Sequence, residues 1–412
     1  MNVAVLKLLL TIAFVFISLS SSGDNRRMFL ASDIDLKGKT MIIPENTILV
    51  GRGGVIKNGI VVGTNTTVET NKAVFSDVSI QGTWVLPEIS TSLFANLKRV
   101  NSLKDVLALA NPGIKNKIVI GEGAYTVEAK HEEDACLTVC SNTEMVLNGS
   151  ITLMPNNFLR CDVIRLEGEN IILRGKGKII GDKFTHTGSE GEWGMGIRIS
   201  NGKHVRVAGL TIKNCWGDCI YINKQSKNVV IDGCRLDHGR RQGISVVCAD
   251  GVTIRRCKIT NVGGTNPQYG IDIEPNSKDY VDHVKIEHVT IDKCKGGITT
   301  LGRRGNRKHI QIGSVCITDC DISSTKRIPL RLRTTKSVMV RNCKIYSPRD
   351  LNAVLVDGVD NIQLEGNIIT FDNSLIASAK RFLKSIKARE EILPIKVSNC
   401  KNQNIKNNQV KK

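Results

Sequence analysis

Short runs of alternating apolar and polar residues recur along most of the chain. VRVAGLTIKNC begins at Val205, VVIDGCRLDHG at Val229, VTIRRCKITNV at Val252 and VKIEHVTIDKC at Val284. IQIGSVCITDC follows from Ile310, VMVRNCKIYSP from Val338 and IQLEGNIITFD from Ile362. They share the template V-x-I-x-x-C/V-x-I, with a polar turn after the first apolar pair. A further short strand accompanies each unit: MGIRIS from Met195, DCIYIN from Asp218, QGISVV from Gln242, YGIDIE from Tyr269, GGITTL from Gly296, PLRLR from Pro329 and AVLV from Ala353. Period-two alternation puts every second side chain on one face. The units recur at roughly two dozen residues, or longer where loops are inserted, with no helix between strands. That period predicts a β-solenoid. One coil cannot bury its apolar face alone, and stacked coils share a continuous core.

The flanks read differently. MIIPENTILVGRGGVIKNGIVVGTNTTVE and VFSDVSIQGTWVLPE predict short strands joined by Gly/Asn turns, and residues 92–110 predict a helix before strands resume at Ile118. Residues 374–392 (SLIASAKRFLKSIKAREEI) have helical apolar spacing; IKVSNC then predicts one last partial coil, and KNNQVKK a frayed tail. The chain opens MNVAVLKLLLTIAFVFISLSSSGDN: one Lys, an apolar run from Leu8 to Leu19, then small residues. This predicts a secretory signal peptide cleaved near Ser22, with an apolar run too short for a comfortable span. No later stretch is apolar enough to cross a membrane. The expected divisions are a leader at 1–22, an N-terminal β segment with a capping helix at 23–117, the solenoid at 118–371, and a C-terminal helix, partial coil and basic tail at 372–412. The expected location is secreted or periplasmic.

Thirteen cysteines in an exported chain would ordinarily suggest disulfides. The template argues otherwise. Cys234, Cys257 and Cys343 share one inward position with Leu210, Val289 and Val315; Cys215, Cys294 and Cys320 share another. There Cys serves as a small apolar residue. Cys136 and Cys140, in ACLTVC, lie outside the ladder, and a bond between them stays open. The net charge of +19 points to an anionic partner. With 4% aromatic residues and no recognition motif, nucleic acid is not expected. An acidic polysaccharide is the natural anion for an exported protein.

Residues 118–371 resemble the right-handed parallel β-helix proteins of the pectate-lyase-like superfamily. The resemblance implies an all-β fold, a right-handed parallel β-helix with a short N-terminal β segment and a C-terminal helix. Within that group, WGDCIYI from Trp216 and RRQGISV from Arg240 are similar to two motifs of polygalacturonases. Asp218 matches the second aspartate of the first motif. Gln242 stands where the second carries a His, and Met195 where an aspartate stands one coil earlier. The resemblance implies a carbohydrate-active relative with an altered residue set.

In YGIDIEPN the alternation turns Ile271 and Ile273 inward and Asp272 and Glu274 outward. Cleavage of a glycosidic bond by hydrolysis needs one protonated and one ionised carboxyl group across the bond. Asp218, Asp272 and Glu274 are the catalytic candidates. Arg198, Arg240, Arg241 and Gln242 are candidates for holding uronate carboxylates or an ionised catalytic group. Trp193, Trp216 and Tyr221 are candidates for stacking on sugar rings. His186 and Glu192, in the inserted loop THTGSEGEWGMG, are further candidates for binding substrate on the same side. A hydrolase needs no cofactor. Two other readings stay open: a lyase or epimerase in which Asp and Glu hold Ca²⁺, and a non-catalytic glycan-binding or tailspike-like protein.

Overall fold

A computed structural model of the protein describes residues 26–303, 310–347, 351–371 and 392–411, together with residues 378, 380, 381, 384 and 385. The predicted leader lies outside the described residues. So does most of the predicted C-terminal helix, whose five described residues are helical. The chain divides into two compact units, one ending at Leu86 and taking in Ser92–Leu97, the other comprising Pro87–Thr91 and everything from Lys98 onward.

In the first unit, strands Arg26–Leu30, Ile34–Asp35, Thr40–Ile42, Thr47–Gly51, Ile56–Glu69 and Phe75–Trp84 pair only in parallel. Leu49, Ile56, Val61, Phe75 and Trp84 fill its core, with the Phe75 and Trp84 rings edge to face at 5.9 Å.

The second unit is the solenoid. Each coil gives two strands to a 20-stranded sheet and one to an 11-stranded sheet, all parallel. Inward residues stack in columns: Ile197, Ile220, Ile244, Ile271, Ile298, Leu330 and Val354 are successive register partners. The third strand does the same with Ile179, Ile212, Leu236, Ile259, Ile291 and Ile322. In four successive coils the corner that follows the third strand is made by one left-handed residue. Asn214, His238, Asn261 and Lys293 each follow a third strand, with φ of 57°, 57°, 55° and 55°. Asn adopts that region at little cost, and a single such residue turns the chain into the next side of the coil.

Four expectations need correction. First, residues 92–110 are not one helix. A 3₁₀ turn covers Thr91–Leu93 and a short α-helix Leu103–Leu107, because Asn101 at φ 62° breaks the path between them. Second, the unit drawn from Ile310 is out of step. Val315, not Ile310, partners Val284. This moves Cys320 into the column of Cys234, Cys257, Val289 and Cys343. Third, the solenoid begins upstream of 118, since Glu88–Ser90 pairs with Asn116–Ile120. Fourth, the last coil is complete. Ile395–Ser398, Asn402–Lys406 and Gln409–Lys411 each pair with the coil before, so the tail is ordered strand. Its apolar Ile405 and Val410 are 42% and 47% exposed. All thirteen cysteines are free, Cys136 and Cys140 included, and ten are buried.

Candidate functional site

The outward column of the central sheet runs Arg165, Arg198, Tyr221, Ser245, Asp272, Thr299, Arg331 and Leu355, one residue per coil. Adjacent members are one strand spacing, about 4.8 Å, apart. Asp218 enters from the turn before strand Ile220–Asn223. Gly217 permits that turn, because a Cβ there would lie 2.5 Å from the Glu192 carbonyl oxygen. One coil later, Arg241 and Gln242 occupy the equivalent turn, where Arg241 N donates to Gly217 O and Cys219 N to Gln242 O.

Five side chains then knit three coils together. Ser245 Oγ donates to Asp218 Oδ2 at 2.6 Å, and Arg241 reaches the same oxygen at 3.4 Å. Gln242 Nε2 donates to Asp272 Oδ2 at 2.6 Å, while its Oε1 accepts Tyr269 N at 2.7 Å. Asp218 is 0% exposed and Asp272 2% exposed. Each keeps one buried oxygen, Oδ1, without a hydrogen-bond partner among the described residues. Such atoms are rare in folded proteins and call for a ligand, a water or a proton.

Burial pushes Asp218 above the usual carboxylate range, and Arg241 and Ser245 pull it part of the way back. Asp272 is pushed well above that range by burial first and then by the Glu274 charge, with Arg241 opposing. Burial works against the charge on Arg241, but Asp218, Glu192 and Asp272 together raise it. One guanidinium thus serves two buried carboxyl groups, and the two cannot both be ionised cheaply.

The other candidates fall around this cluster. Glu192 is near enough to act on Asp218 and Arg241. Arg198 donates from Nε to Asp162 at 2.7 Å and lies 5.0 Å from the Tyr221 ring centre. Tyr221 packs with Met195 and Val247, against Trp193. Asp272 is outward in register, as predicted, but covered, so it does not face an open groove. Glu274, two residues on, is half-exposed.

Three proposed sugar contacts are corrected. Trp216 stacks on His186, with centroids 3.9 Å apart and planes at 15°, and carries Arg240 at 3.7 Å. Its ring is engaged by protein and is not a free platform. Arg240 is held there, also donating to Gly191 O at 2.8 Å. His186 is tucked away, its side chain 1% exposed and its Nδ1 2.7 Å from Asp182 Oδ2.

The sequence reading missed several members. Asp162, 0% exposed, receives both Arg165 and Arg198. It sits in register with Met195, one coil earlier, so an aspartate does occur in that column. Asp182 and Ser245 were also missed, since their partners lie in other coils or a loop. Arg331 and Arg333 have buried Nε atoms without hydrogen-bond partners, and no carboxylate pairs with either among the described residues. Two surface depressions, of about 270 and 390 Å³, lie elsewhere on the solenoid.

A Ca²⁺ site needs six to eight oxygen ligands. Among the described residues no three His, Cys, Asp or Glu side chains gather closely enough to hold a metal ion. Asp218 and Asp272 are tied to Arg241, Ser245 and Gln242 instead. The donor set does not fit such an ion.

Residues 146–312 match the family model described as a right handed beta helix region. The coils described above have this fold, a right-handed parallel β-helix. It is 28% identical over 262 residues to the SPbeta prophage-derived uncharacterized protein YorA of Bacillus subtilis (strain 168), a match covering 57% of this chain and 44% of YorA. It is 33% identical over 199 residues to the uncharacterized protein YclG of the same organism, covering 41% of this chain and 34% of YclG. The chain therefore spans less than half the length of either relative. The crystal structure of Dettilon tailspike protein superposes with a TM-score of 0.50 at 15% identity, over 75% of this chain and 57% of that one. It shares the fold.

Proposed function

We propose that the protein is an exported enzyme that cleaves glycosidic bonds in a polysaccharide by hydrolysis. The observation that carries this reading is the pair Asp218 and Asp272, both buried, each with a free oxygen, and both within the influence of Arg241. Asp272 is the group that holds a proton, and its role is to donate it to the leaving glycosidic oxygen. Asp218, hydrogen-bonded by Ser245 and paired with Arg241, is the group that ionises, and its role is to draw a proton from the attacking water. Gln242 fixes the Asp272 carboxyl from behind. Substrate hydroxyls would complete the two unpartnered oxygens once the side chains over the column part.

An acidic, uronate-bearing polymer suits the site. Arg331, two coils from Asp272, and Arg333 on the same strand are half-buried cations that make no ion pair among the described residues, Arg333 feeling only the more distant carboxylates of Glu274 and Asp357. A sugar carboxylate would satisfy both.

The test is a screen of the purified protein on pectic, alginate and glycosaminoglycan polymers, with Asp272→Asn alongside. Reducing ends and the ultraviolet absorbance of unsaturated uronates are followed together, with and without a chelator. New reducing ends without absorbance, lost in Asp272→Asn, are expected. Matching absorbance, or equal activity in the variant, would overturn the assignment.

A further inference from the structure

Away from the acid cluster, the 11-stranded sheet presents its own outward columns. Lys178, Thr211, Arg235 and Lys258 are successive register partners, and so are Ile180, Lys213, Asp237 and Thr260. Four cations thus lie across four consecutive coils, with one carboxylate between them. Lys178, Arg235 and Lys258 are exposed. Among the described residues none of the four cations makes an ion pair. Like charges stacked at one strand spacing repel.

The central sheet treats its charges differently. Its column Asp232, Arg255, Glu287, Thr318, Arg341, Glu365, Lys406 alternates in sign. Asp232 is met by Arg206, Arg255 and Arg256, and Glu365 by Arg341 and Lys406. The solenoid therefore neutralises one charged column and leaves the other open.

The open column has the form of a binding face. Thr211, Arg235, Asp237, Lys258 and Thr260 line a depression of about 390 Å³. At its margin Phe184 is 66% exposed and meets His238, the residue after Asp237, edge to face at 5.5 Å. An exposed aromatic ring beside hydroxyls and cations suits a sugar with an acidic group.

We propose that this face is a second, non-catalytic site for a linear acidic polysaccharide, laid along the solenoid axis. A linked pyranose is about as long as the coil spacing, so successive carboxylates meet successive cations. Asp237, whose Oδ1 accepts from Thr260 and Asn261 and whose Oδ2 meets His238 Nδ1, has room on Oδ2 for one sugar hydroxyl, and Thr211 meets another.

The experiment measures binding, so it stands apart from whether Asp218 and Asp272 cleave anything. Full-length Asp272→Asn protein is titrated with polygalacturonate, alginate, neutral dextran and a single-stranded oligonucleotide, at low and high salt. The same is done after adding Arg235→Glu with Lys258→Glu, or Phe184→Ala. All three positions are exposed, so the fold is kept. At least one polyuronate is expected to bind, more weakly in high salt, with at least tenfold loss in the double variant and a smaller loss in Phe184→Ala. Dextran is expected not to bind. Failure of both polyuronates to bind overturns the proposal, as does binding untouched by the double variant. An oligonucleotide bound more tightly and lost in the same variant also overturns it, making the face a nucleic-acid site.

Discussion

Asp232 and Asp272 are both buried aspartates on the same solenoid, and their surroundings are opposite. Asp232 has three guanidinium groups around it: Arg206 at 2.6 Å, Arg255 at 3.1 Å and Arg256 at 2.5 Å. Among the described residues, Asp272 has none within ion-pair distance. Its near partners are an amide, Gln242, and a second carboxylate, Glu274, while the nearest cation to act on it is already committed to Asp218. A carboxyl group that only has to hold coils together is well served by excess positive charge. One that has to give up a proton near neutrality is served by too little. On the proposed function, the contrast separates a structural clamp, Asp232, from a proton donor, Asp272.

The largest effect expected is on catalysis. Asp272→Asn should lower the cleavage rate by about 10²–10⁴-fold, the usual contribution of a general acid, with circular dichroism unchanged. The same variant reports on stability. Folded Asp272 keeps its proton at a pH where the unfolded chain has released it, above about pH 4. The folded state then binds more protons, so stability falls as pH rises from there until Asp272 itself ionises. Urea midpoints should show that slope in the parent and a flatter one in Asp272→Asn.

Arg241→Met should come next, because it leaves Asp218 buried without its cation. A loss of about 3–5 kcal/mol is expected, read from urea unfolding, together with loss of cleavage. Asp232→Asn should cost about 1–3 kcal/mol and leave cleavage intact; a large loss of activity there would erase the distinction between the two aspartates. Smallest is Glu274→Gln. Removing the like charge should lower the Asp272 pKa, so the alkaline limb of the rate profile moves to lower pH while the maximum changes little.

How much of this the sequence shows depends on distance along the chain. The inward columns are legible, since Ile244, Ile271 and Ile298 each sit in a strict local alternation. The fold class follows from that alone. Register is less secure where a loop interrupts the period. Ile310 and Ile312 alternate as well as Val315 and Ile317 do, and only the pairing of Val284 with Val315 decides between them. Asp218, Asp272, Arg241 and Gln242 were visible as candidates, because stacking brings residues about two dozen apart onto one face. Their bonding was not visible. Whether Gln242 reaches forward to Asp272 or Arg241 back to Asp218 is a matter of rotamers within a few ångströms. Trp216 shows the same limit. Its place beside the strand was readable, but the loop that lays His186 on its ring comes from a separate insertion.

The completed final coil has a consequence for assembly. Among the described residues no strand pairs with the outer edge of this coil, which is flanked by exposed Ile405 and Val410. An open edge of this kind is a template on which a second chain can add strands and grow a filament. Here the terminal strands carry Lys406 and Lys411. Two copies meeting end to end would bring these cations together. Positive charge at this edge would keep the molecules apart.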